Sequence, residues 1–158
     1  SSDMTQLAYL AKEVVGLRKG ARWLHPVGYG TLGYGLPAAI GAKVAMPDRP
    51  VMALVGDSGL QYTIQELATL AERKLPIAVL LWDNGKLGEI EDSMVRAQIA
   101  PNAVIQRNPD FLKLAEAYGA AAVQPDDLDG FKAAIQTALQ TKGPTIIRVT
   151  SDIALTSS

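Results

Sequence analysis

An apolar run passes directly into a glycine-flanked acid in Val51-Met52-Ala53-Leu54-Val55-Gly56-Asp57-Ser58-Gly59. A second apolar run leads into another polar loop in Ile77-Ala78-Val79-Leu80-Leu81-Trp82-Asp83-Asn84-Gly85-Lys86. Short, branched runs bounded by turn residues are typical of buried parallel strands. Each loop is followed by a segment with helical periodicity, and a strand–loop–helix unit delivers its loop to the carboxyl edge of the sheet. We therefore expect the two loops to meet at one place.

The polar groups of these loops suit a divalent cation that holds a diphosphate. Mg²⁺ prefers oxygen ligands, usually one or two carboxylates together with phosphate oxygens and water. Asp57 can supply the carboxylate, Asn84 an amide oxygen and Lys86 a backbone carbonyl. Glycines allow phosphate to approach the backbone, and the free N–H groups at helix starts favour an anion. Asp57 and Asn84 are also common turn and N-cap residues, so a purely structural role stays open.

Periodicity and turn residues divide the rest of the chain into alternating elements. Helices are predicted over residues 5–17, 35–45, 63–73, 109–118 and 128–141. Strands are predicted over residues 22–24, 51–55, 77–82, 120–123 and 145–149. This alternation predicts an α/β fold of three αβα layers around a mostly parallel, doubly wound sheet.

Composition limits the class of protein. The chain has 158 residues, about one average domain, so we expect residues 1–158 to form a single domain. It is 48% hydrophobic and 20% charged with a net charge of −1, which favours neither nucleic acid nor a membrane surface as a partner. No apolar run reaches the length of a membrane-spanning helix. The absence of cysteine excludes disulfides and thiolate metal sites and is consistent with a cytoplasmic protein.

The two loops resemble a known bipartite motif. Gly56-Asp57, followed 27 residues after Asp57 by Asn84, is similar to the GDG…NN motif of the thiamine-diphosphate enzymes of the acetolactate synthase and 2-oxo acid decarboxylase type. Ser58 stands in place of the third glycine and Asp83 in place of the first asparagine. Neither departure removes a metal ligand of the family, but we expect Asp83 to add a negative charge close to the cation.

A third segment strengthens the resemblance. The stretch from Gly28 to Ala42, GYGTLGYGLPAAIGA, matches the family's GTMGYGLPAAIGA sequence at nearly every position. In that family the segment holds the aminopyrimidine ring, so the Gly30 carbonyl would accept a hydrogen bond from the 4′-amino group and Leu32 would separate the two rings. The same glycines also match a nicotinamide-binding G-x-G-x-x-G pattern, but a firm preceding strand and an acid at a following strand end are missing.

The resemblance implies a C-terminal diphosphate-binding domain with thiamine diphosphate and Mg²⁺ as cofactors. Asp57, Asn84 and Lys86 would hold the metal. The residues that would contact the organic cofactor are Thr5, Gln6, Gly30, Thr31, Leu32, Gly56, Asp57, Ser58, Gly59, Asn84, Lys86, Leu87 and Gly88. Because Asp57 lies in a loop, we expect its replacement to affect metal binding and to leave the fold largely intact.

The rest of the family's active site is not assignable here. Its activating glutamate lies on a pyrimidine-binding domain supplied by another subunit or chain, so we assign no catalytic residue. The loop beginning at Asp3 normally follows a strand, and only Ser1 and Ser2 precede it. The uncovered cofactor face would expose apolar residues, for which we expect Leu32, Leu36, Leu87 and Ile90, and these predict a homo-oligomer.

The substrate is a 2-oxo acid by resemblance. Glu89 and Ile90 fall at positions that neighbour the reacting carbon in the family's decarboxylases, and the segment from Gly88 to Glu91 is closer to the 5-guanidino-2-oxopentanoate decarboxylase branch than to acetolactate synthases. Glu89 or Glu91 could pair with a guanidinium tail. Alternatively, both glutamates are solvated acids on the helix surface. For the whole chain, the alternatives are an acetolactate-synthase-type fragment or an inactive cofactor-binding domain. His25, the single histidine, is expected to serve packing rather than proton transfer.

Overall fold

A computed structural model describes residues 1–154 of the chain. The helices are α1 (Gln6–Val14), α2 (Gly35–Ala45), α3 (Asp57–Tyr62), α4 (Glu66–Glu72), α5 (Gly88–Arg96), α6 (Phe111–Ala117) and α7 (Leu128–Gln140). The strands are β1 (Val51–Gly56), β2 (Ile77–Trp82), β3 (Ala121–Val123) and β4 (Thr145–Val149). None of the helices within residues 1–154 is long and apolar enough to cross a membrane.

The four strands form one parallel sheet in the order β1-β2-β4-β3. Strand β2 is the most deeply buried because it has neighbours on both sides and helices on both faces. Its register with β1 pairs Val51 with Ile77 and Gly56 with Trp82, so the two strands end at the same level. The predicted α/β class with a parallel sheet is confirmed.

Two apolar clusters cover the two faces of the sheet. The larger joins Leu36 of α2, Leu60 of α3, Leu67 of α4 and Phe111 of α6 to one face. The smaller joins Ala138 of α7 to Ala78 and Ile147 on the other face. Helices on opposite faces of one sheet give the three αβα layers that the alternating sequence predicted.

Several predicted boundaries were wrong. The helix predicted over residues 5–17 ends at Val14, and the one predicted from residue 63 begins at Glu66. Helix α6 begins after Asp110, whose carboxylate caps it by accepting from the Lys113 N–H at 3.1 Å. The Asp57 region, predicted as a loop, starts helix α3.

The predicted strand over residues 22–24 does not form. Leu24 instead accepts one hydrogen bond from the Ser2 N–H at 2.9 Å. Ser2 makes a parallel bridge with Leu54, flanked by hydrogen bonds from Leu54 to Ser1 and from Asp3 to Leu54. The first three residues therefore lie beside β1 and join it through this isolated bridge, without forming a strand.

Candidate functional site

The loops after β1 and β2 meet at the carboxyl edge of the sheet, as the sequence predicts. Gly56 and Trp82 are register partners at the ends of the two strands. The Gly85 N–H donates to Asp57 Oδ2 at 2.8 Å, which joins the loops directly. Parallel strands with crossover helices place their loops at one edge, where ligands bind in folds of this class.

Asp57 is a buried carboxylate with a full set of donors. Its side chain is only 2% exposed. Oδ1 accepts from the Ser58 N–H at 2.7 Å, and Oδ2 accepts from Gly85 and from Asn108 Nδ2, the latter at 2.7 Å. Such hydrogen bonds offset the cost of burying a charge. They also make Asp57 part of the packed structure, so we expect its replacement to lower stability as well as metal binding.

The Asn84 side chain has a defined orientation. Its Nδ2 donates to Gln6 Oε1 at 3.1 Å, and its Oδ1 accepts from the Lys86 N–H at 3.3 Å. The Lys86 side chain turns away along α5 and pairs with Glu91 at 2.5 Å. That hydrogen bond raises the pKa of Lys86 above its usual value. Asn84 and Lys86 thus offer neutral oxygen atoms beside the Asp57 carboxylate.

Asp83 does not present a free charge to this site. Its side chain is 6% exposed, accepts from Arg148 Nε at 2.7 Å and accepts from Asn108 Nδ2 at 2.7 Å. The expectation that it adds a net negative charge near a cation was wrong, because the guanidinium of Arg148 balances it. The signal that could have found Arg148 is a single basic residue in the otherwise apolar strand β4.

A segment that the sequence analysis missed crosses both loops. We call residues 104–108 the strap. Its backbone exchanges hydrogen bonds with Gly85 and Leu87, each 2.8 Å long. Its Gln106 side chain donates to Ser58 Oγ, and Asn108 contacts both Asp57 and Asp83. No charged or aromatic motif marks the strap in the sequence.

The glycine-rich segment is fixed by another missed residue, Asp3. Its carboxylate is 1% exposed and accepts from the Gly33 N–H at 3.0 Å and the Tyr34 N–H at 3.1 Å. Burial raises the pKa of Asp3, and these backbone hydrogen bonds oppose that effect. A Cβ on Gly59 would lie 2.1 Å from Asp3 Oδ2, so only glycine fits at that position of α3.

A cleft opens at this edge of the sheet. It is lined by nearly all the predicted cofactor and substrate residues, namely Thr5, Gln6, Gly30, Leu32, Gly56, Asp57, Ser58, Gly59, Asn84, Lys86, Leu87, Gly88, Glu89 and Ile90. Thr31 is exposed and lies outside this lining set. Met4, Tyr9 and Trp82 also line the cleft and were not predicted.

The donor set fits a hard cation with a phosphate ligand. Within residues 1–154 no group of three or more His, Cys, Asp or Glu side chains could hold a metal. One carboxylate with neutral oxygen atoms is instead the protein share of a Mg²⁺ shell that phosphate and water complete. The indole N–H of Trp82 is buried without an acceptor in the described part of the chain, and Trp82 lines the cleft.

The two glutamates of α5 differ in their surroundings. Glu89 lines the cleft and pairs with Arg96 Nη2 at 3.2 Å. Glu91 pairs with Lys86. Ile90 is 49% exposed. Glu89 is therefore the carboxylate of α5 that lines the cleft.

The apolar surface differs in part from expectation. Leu32 and Leu87 are half-buried, but Leu36 is fully buried in the core, so its predicted exposure was wrong. Helix α1 and the following loop expose further apolar side chains, including Leu10, Val14, Val27 and Tyr29.

His25 is held by a short chain of hydrogen bonds outside the cleft lining. Trp23 Nε1 donates to Ser2 Oγ at 2.7 Å, which leaves the hydroxyl proton for His25 Nδ1, 2.9 Å away. Burial lowers the pKa of His25, and the charge of Lys12 acts in the same direction. These contacts match the expected structural role.

Comparisons with known proteins identify the family of the chain. The family profile described as "Thiamine pyrophosphate enzyme, C-terminal TPP binding domain" matches residues 3–149. The chain is 51% identical over 150 residues to the "Probable 2-ketoarginine decarboxylase AruI" of Pseudomonas aeruginosa, which covers 94% of this chain and 27% of that protein. It is 37% identical over 126 residues to the acetolactate synthase isozyme 3 large subunit of Escherichia coli, covering 78% of this chain and 22% of that one.

A solved structure shares the fold. The thiamine diphosphate-dependent 4-hydroxybenzoylformate decarboxylase of Rhodococcus jostii is similar with a TM-score of 0.74 and 33% identity, over 82% of this chain and 24% of that one. The chain thus spans about a quarter of the length of these proteins. The similarity to the 2-ketoarginine decarboxylase agrees with the branch that the sequence of α5 indicated.

Proposed function

The chain belongs to the thiamine pyrophosphate enzymes, whose C-terminal TPP-binding domain it contains, and from this we propose that its cleft holds the cofactor diphosphate through Mg²⁺. Asp57 supplies the carboxylate ligand, Asn84 its amide oxygen and Lys86 its backbone carbonyl. The observation that carries this proposal is the convergence of both loops on Asp57, with the Gly85 N–H 2.8 Å from its carboxylate.

The remaining cleft residues have separable tasks. Thr5, Gln6, Ser58 and Gly88 border the diphosphate. The Gly30 carbonyl accepts from the aminopyrimidine, and the half-buried Leu32 keeps the two rings of the cofactor apart. When bound, the cofactor would supply a nucleophilic thiazolium carbon for the carbonyl group of a 2-oxo acid. The chain's own residues position that carbon and shield it from water on one side.

The intact protein is, in this proposal, a decarboxylase of 5-guanidino-2-oxopentanoate, which is 2-ketoarginine. The relative named for that substrate is 51% identical to this chain. Glu89 borders the cleft and already accepts a hydrogen bond from a guanidinium group, that of Arg96. A carboxylate that holds one guanidinium has the geometry to hold another.

The partner is a pyrimidine-binding domain from another subunit of a homo-oligomer, in a reducing compartment such as the cytoplasm. Ile90 and the exposed apolar residues of α1 form the surface that it covers. That domain brings the glutamate that activates the cofactor. General acid–base help of this kind contributes about 10²–10⁴-fold to a rate, so the chain alone binds cofactor without measurable turnover.

Two measurements test this proposal. Thermal unfolding is followed with thiamine diphosphate plus Mg²⁺, thiamine diphosphate plus EDTA, and NAD. Stabilisation by the first mixture alone supports the site, whereas stabilisation by NAD alone would overturn it.

Carbon dioxide release from 5-guanidino-2-oxopentanoate is then measured with and without a supplied pyrimidine-binding domain. Pyruvate is the competing substrate, and conversion of pyruvate to acetolactate with no reaction of the guanidino acid would favour the acetolactate-synthase alternative. Efficient aldehyde production by the chain alone would contradict the need for a partner.

A further inference from the structure

We propose that Asp92 is a positioning residue for the cation site, because it sets through Gln6 which end of the Asn84 amide faces the metal. The inference rests on the proposed function, in which Asn84 is a metal ligand. An asparagine side chain is useful to a cation only when its oxygen, and not its NH₂ group, points at the ion. The two ends are similar in size, so shape alone does not select between them.

Three side chains form a directed chain of hydrogen bonds. Gln6 Nε2 donates to Asp92 Oδ2 at 3.3 Å, and Asn84 Nδ2 donates to Gln6 Oε1 at 3.1 Å. An ionised carboxylate can only accept. Asp92 therefore requires the NH₂ end of Gln6, which turns the Gln6 oxygen toward Asn84. That oxygen in turn requires the NH₂ end of Asn84, and the Asn84 oxygen is left on the opposite side.

The hydrogen bond at the other end of this series, at Asn84, fits the same orientation of the amides. Asn84 Oδ1 accepts from the Lys86 N–H at 3.3 Å, and a backbone N–H can only donate. An acceptor-only group at one end and a donor-only group at the other thus select the same orientation of both amides. The Asn84 oxygen lies on the side of Lys86, whose backbone carbonyl is the neighbouring ligand in the proposed site.

Gly88 leaves room for these hydrogen bonds because it has no side chain. A Cβ on Gly88 would lie 2.9 Å from Gln6 Oε1 and 3.0 Å from Asn84 Nδ2, the two atoms that share a hydrogen bond. The backbone of Gly88 does not have a positive φ, so the requirement for glycine here is one of space. The start of α5 is therefore shaped around the contact between Gln6 and Asn84.

Asp92 is available for this task. It lies half-buried on α5, one turn beyond Gly88, and no ion pair within residues 1–154 includes it. Without the Asp92 carboxylate, the side-chain amide of Gln6 can rotate. Gln6 then donates to Asn84 as readily as it accepts from it. The Asn84 oxygen would face the cation for only part of the time, and the apparent Mg²⁺ affinity would fall with that fraction.

The test is the Mg²⁺ affinity of Asp92→Asn, measured by titration calorimetry with saturating thiamine diphosphate. The substitution keeps the shape of the side chain and removes its acceptor-only character. We expect the affinity to fall about twofold, because the Asn84 oxygen then faces the cation for about half of the time. Asp48→Asn removes the same charge from an exposed loop and is the matched control, with unchanged affinity expected.

A second background separates orientation from charge. In Asn84→Asp both side-chain ends are oxygen atoms, so orientation no longer matters. Adding Asp92→Asn to that variant should then cause no further loss of Mg²⁺ affinity. A loss of the same size that persists there would show that Asp92 acts through its charge alone and would overturn the proposal, as would unchanged affinity in the single variant.

The side-chain NH₂ signals of Gln6 and Asn84 give a readout that needs no metal. In a ¹⁵N–¹H correlation spectrum of the metal-free chain, Asp92→Asn should shift or broaden both pairs of signals, while Asp48→Asn should leave them in place. Unmoved signals in Asp92→Asn would also overturn the inference. Failure of the proposed function is distinguishable, because the wild-type chain would then show no Mg²⁺-dependent cofactor binding at all.

Discussion

Replacing Asp57 by asparagine removes one negative charge from the proposed cation site and keeps the size of the side chain. The carboxylate is the only charged ligand in that site, so we expect a fall in Mg²⁺ affinity of more than about 100-fold, beyond the about 10–100-fold produced by groups that merely support metal ligands. Cofactor binding that depends on Mg²⁺ should fall with it.

The same substitution should destabilise the fold to a calculable extent. Three N–H donors, from Ser58, Gly85 and Asn108, point at the two oxygen atoms of Asp57. Whichever way an asparagine turns, its NH₂ group faces at least one of them. One unsatisfied buried donor costs about 1–3 kcal/mol. For a chain of this size each kcal/mol lowers Tm by about 2–4 °C.

The assay combines titration calorimetry in Mg²⁺ and thiamine diphosphate with thermal unfolding in EDTA. Asp48→Asn, in an exposed loop, is the control for the charge change. Wild-type Mg²⁺ affinity in Asp57→Asn would refute the ligand assignment. An unchanged Tm in EDTA would refute the reasoning on the buried donors, and the two results are independent of each other.

Three further substitutions test other parts of the molecule. Asn84→Ala should weaken Mg²⁺ binding less than Asp57→Asn, because water can replace a neutral ligand; a larger loss in calorimetry would contradict that order. Leu67→Ala, at a site 1% exposed in the larger cluster, should cost about 2–5 kcal/mol in urea unfolding, and a cost well below 1 kcal/mol would contradict its core position. Because burial lowers the pKa of His25, the unfolded chain takes up its proton first, and stability should fall as pH drops below about 6.5. His25→Asn should remove that part of the slope, and an identical pH dependence would show that His25 does not contribute.

The strands and the location of the site were predictable because they depend on local signals. The apolar runs that became β1, β2 and β4 are short, branched and bounded by turn residues, and the loops after β1 and β2 carry the polar groups. Helix α3 was not predictable in the same way. Gly59 is typical of a loop, yet it lies in a helix, where the Asp3 carboxylate occupies the space that a side chain would take.

The groups that hold the site in place were beyond sequence reasoning because they come from distant segments. Asn108 reaches Asp57 across 51 residues, and Gln6 reaches Asp92 across 86. Such contacts depend on the tertiary path of the chain. Gln6 was predicted as a cofactor residue, but its contact with Asp92 was not, and Asn108 belongs to no motif. Asp83 illustrates the consequence, since its charge was visible in the sequence and its balancing by Arg148 was not.

The ion pair of Asp83 and Arg148 also bears on how this site arises during protein synthesis. Its members are 65 residues apart, and Arg148 belongs to β4, the last strand within residues 1–154. That strand takes an interior position, between β2 and β3, so β3 joins the sheet only through it. A chain still on the ribosome without residues 145–149 therefore has an unfinished sheet and an uncompensated acid beside the metal loops. Cofactor capture by the nascent polypeptide should consequently begin only when translation has passed β4.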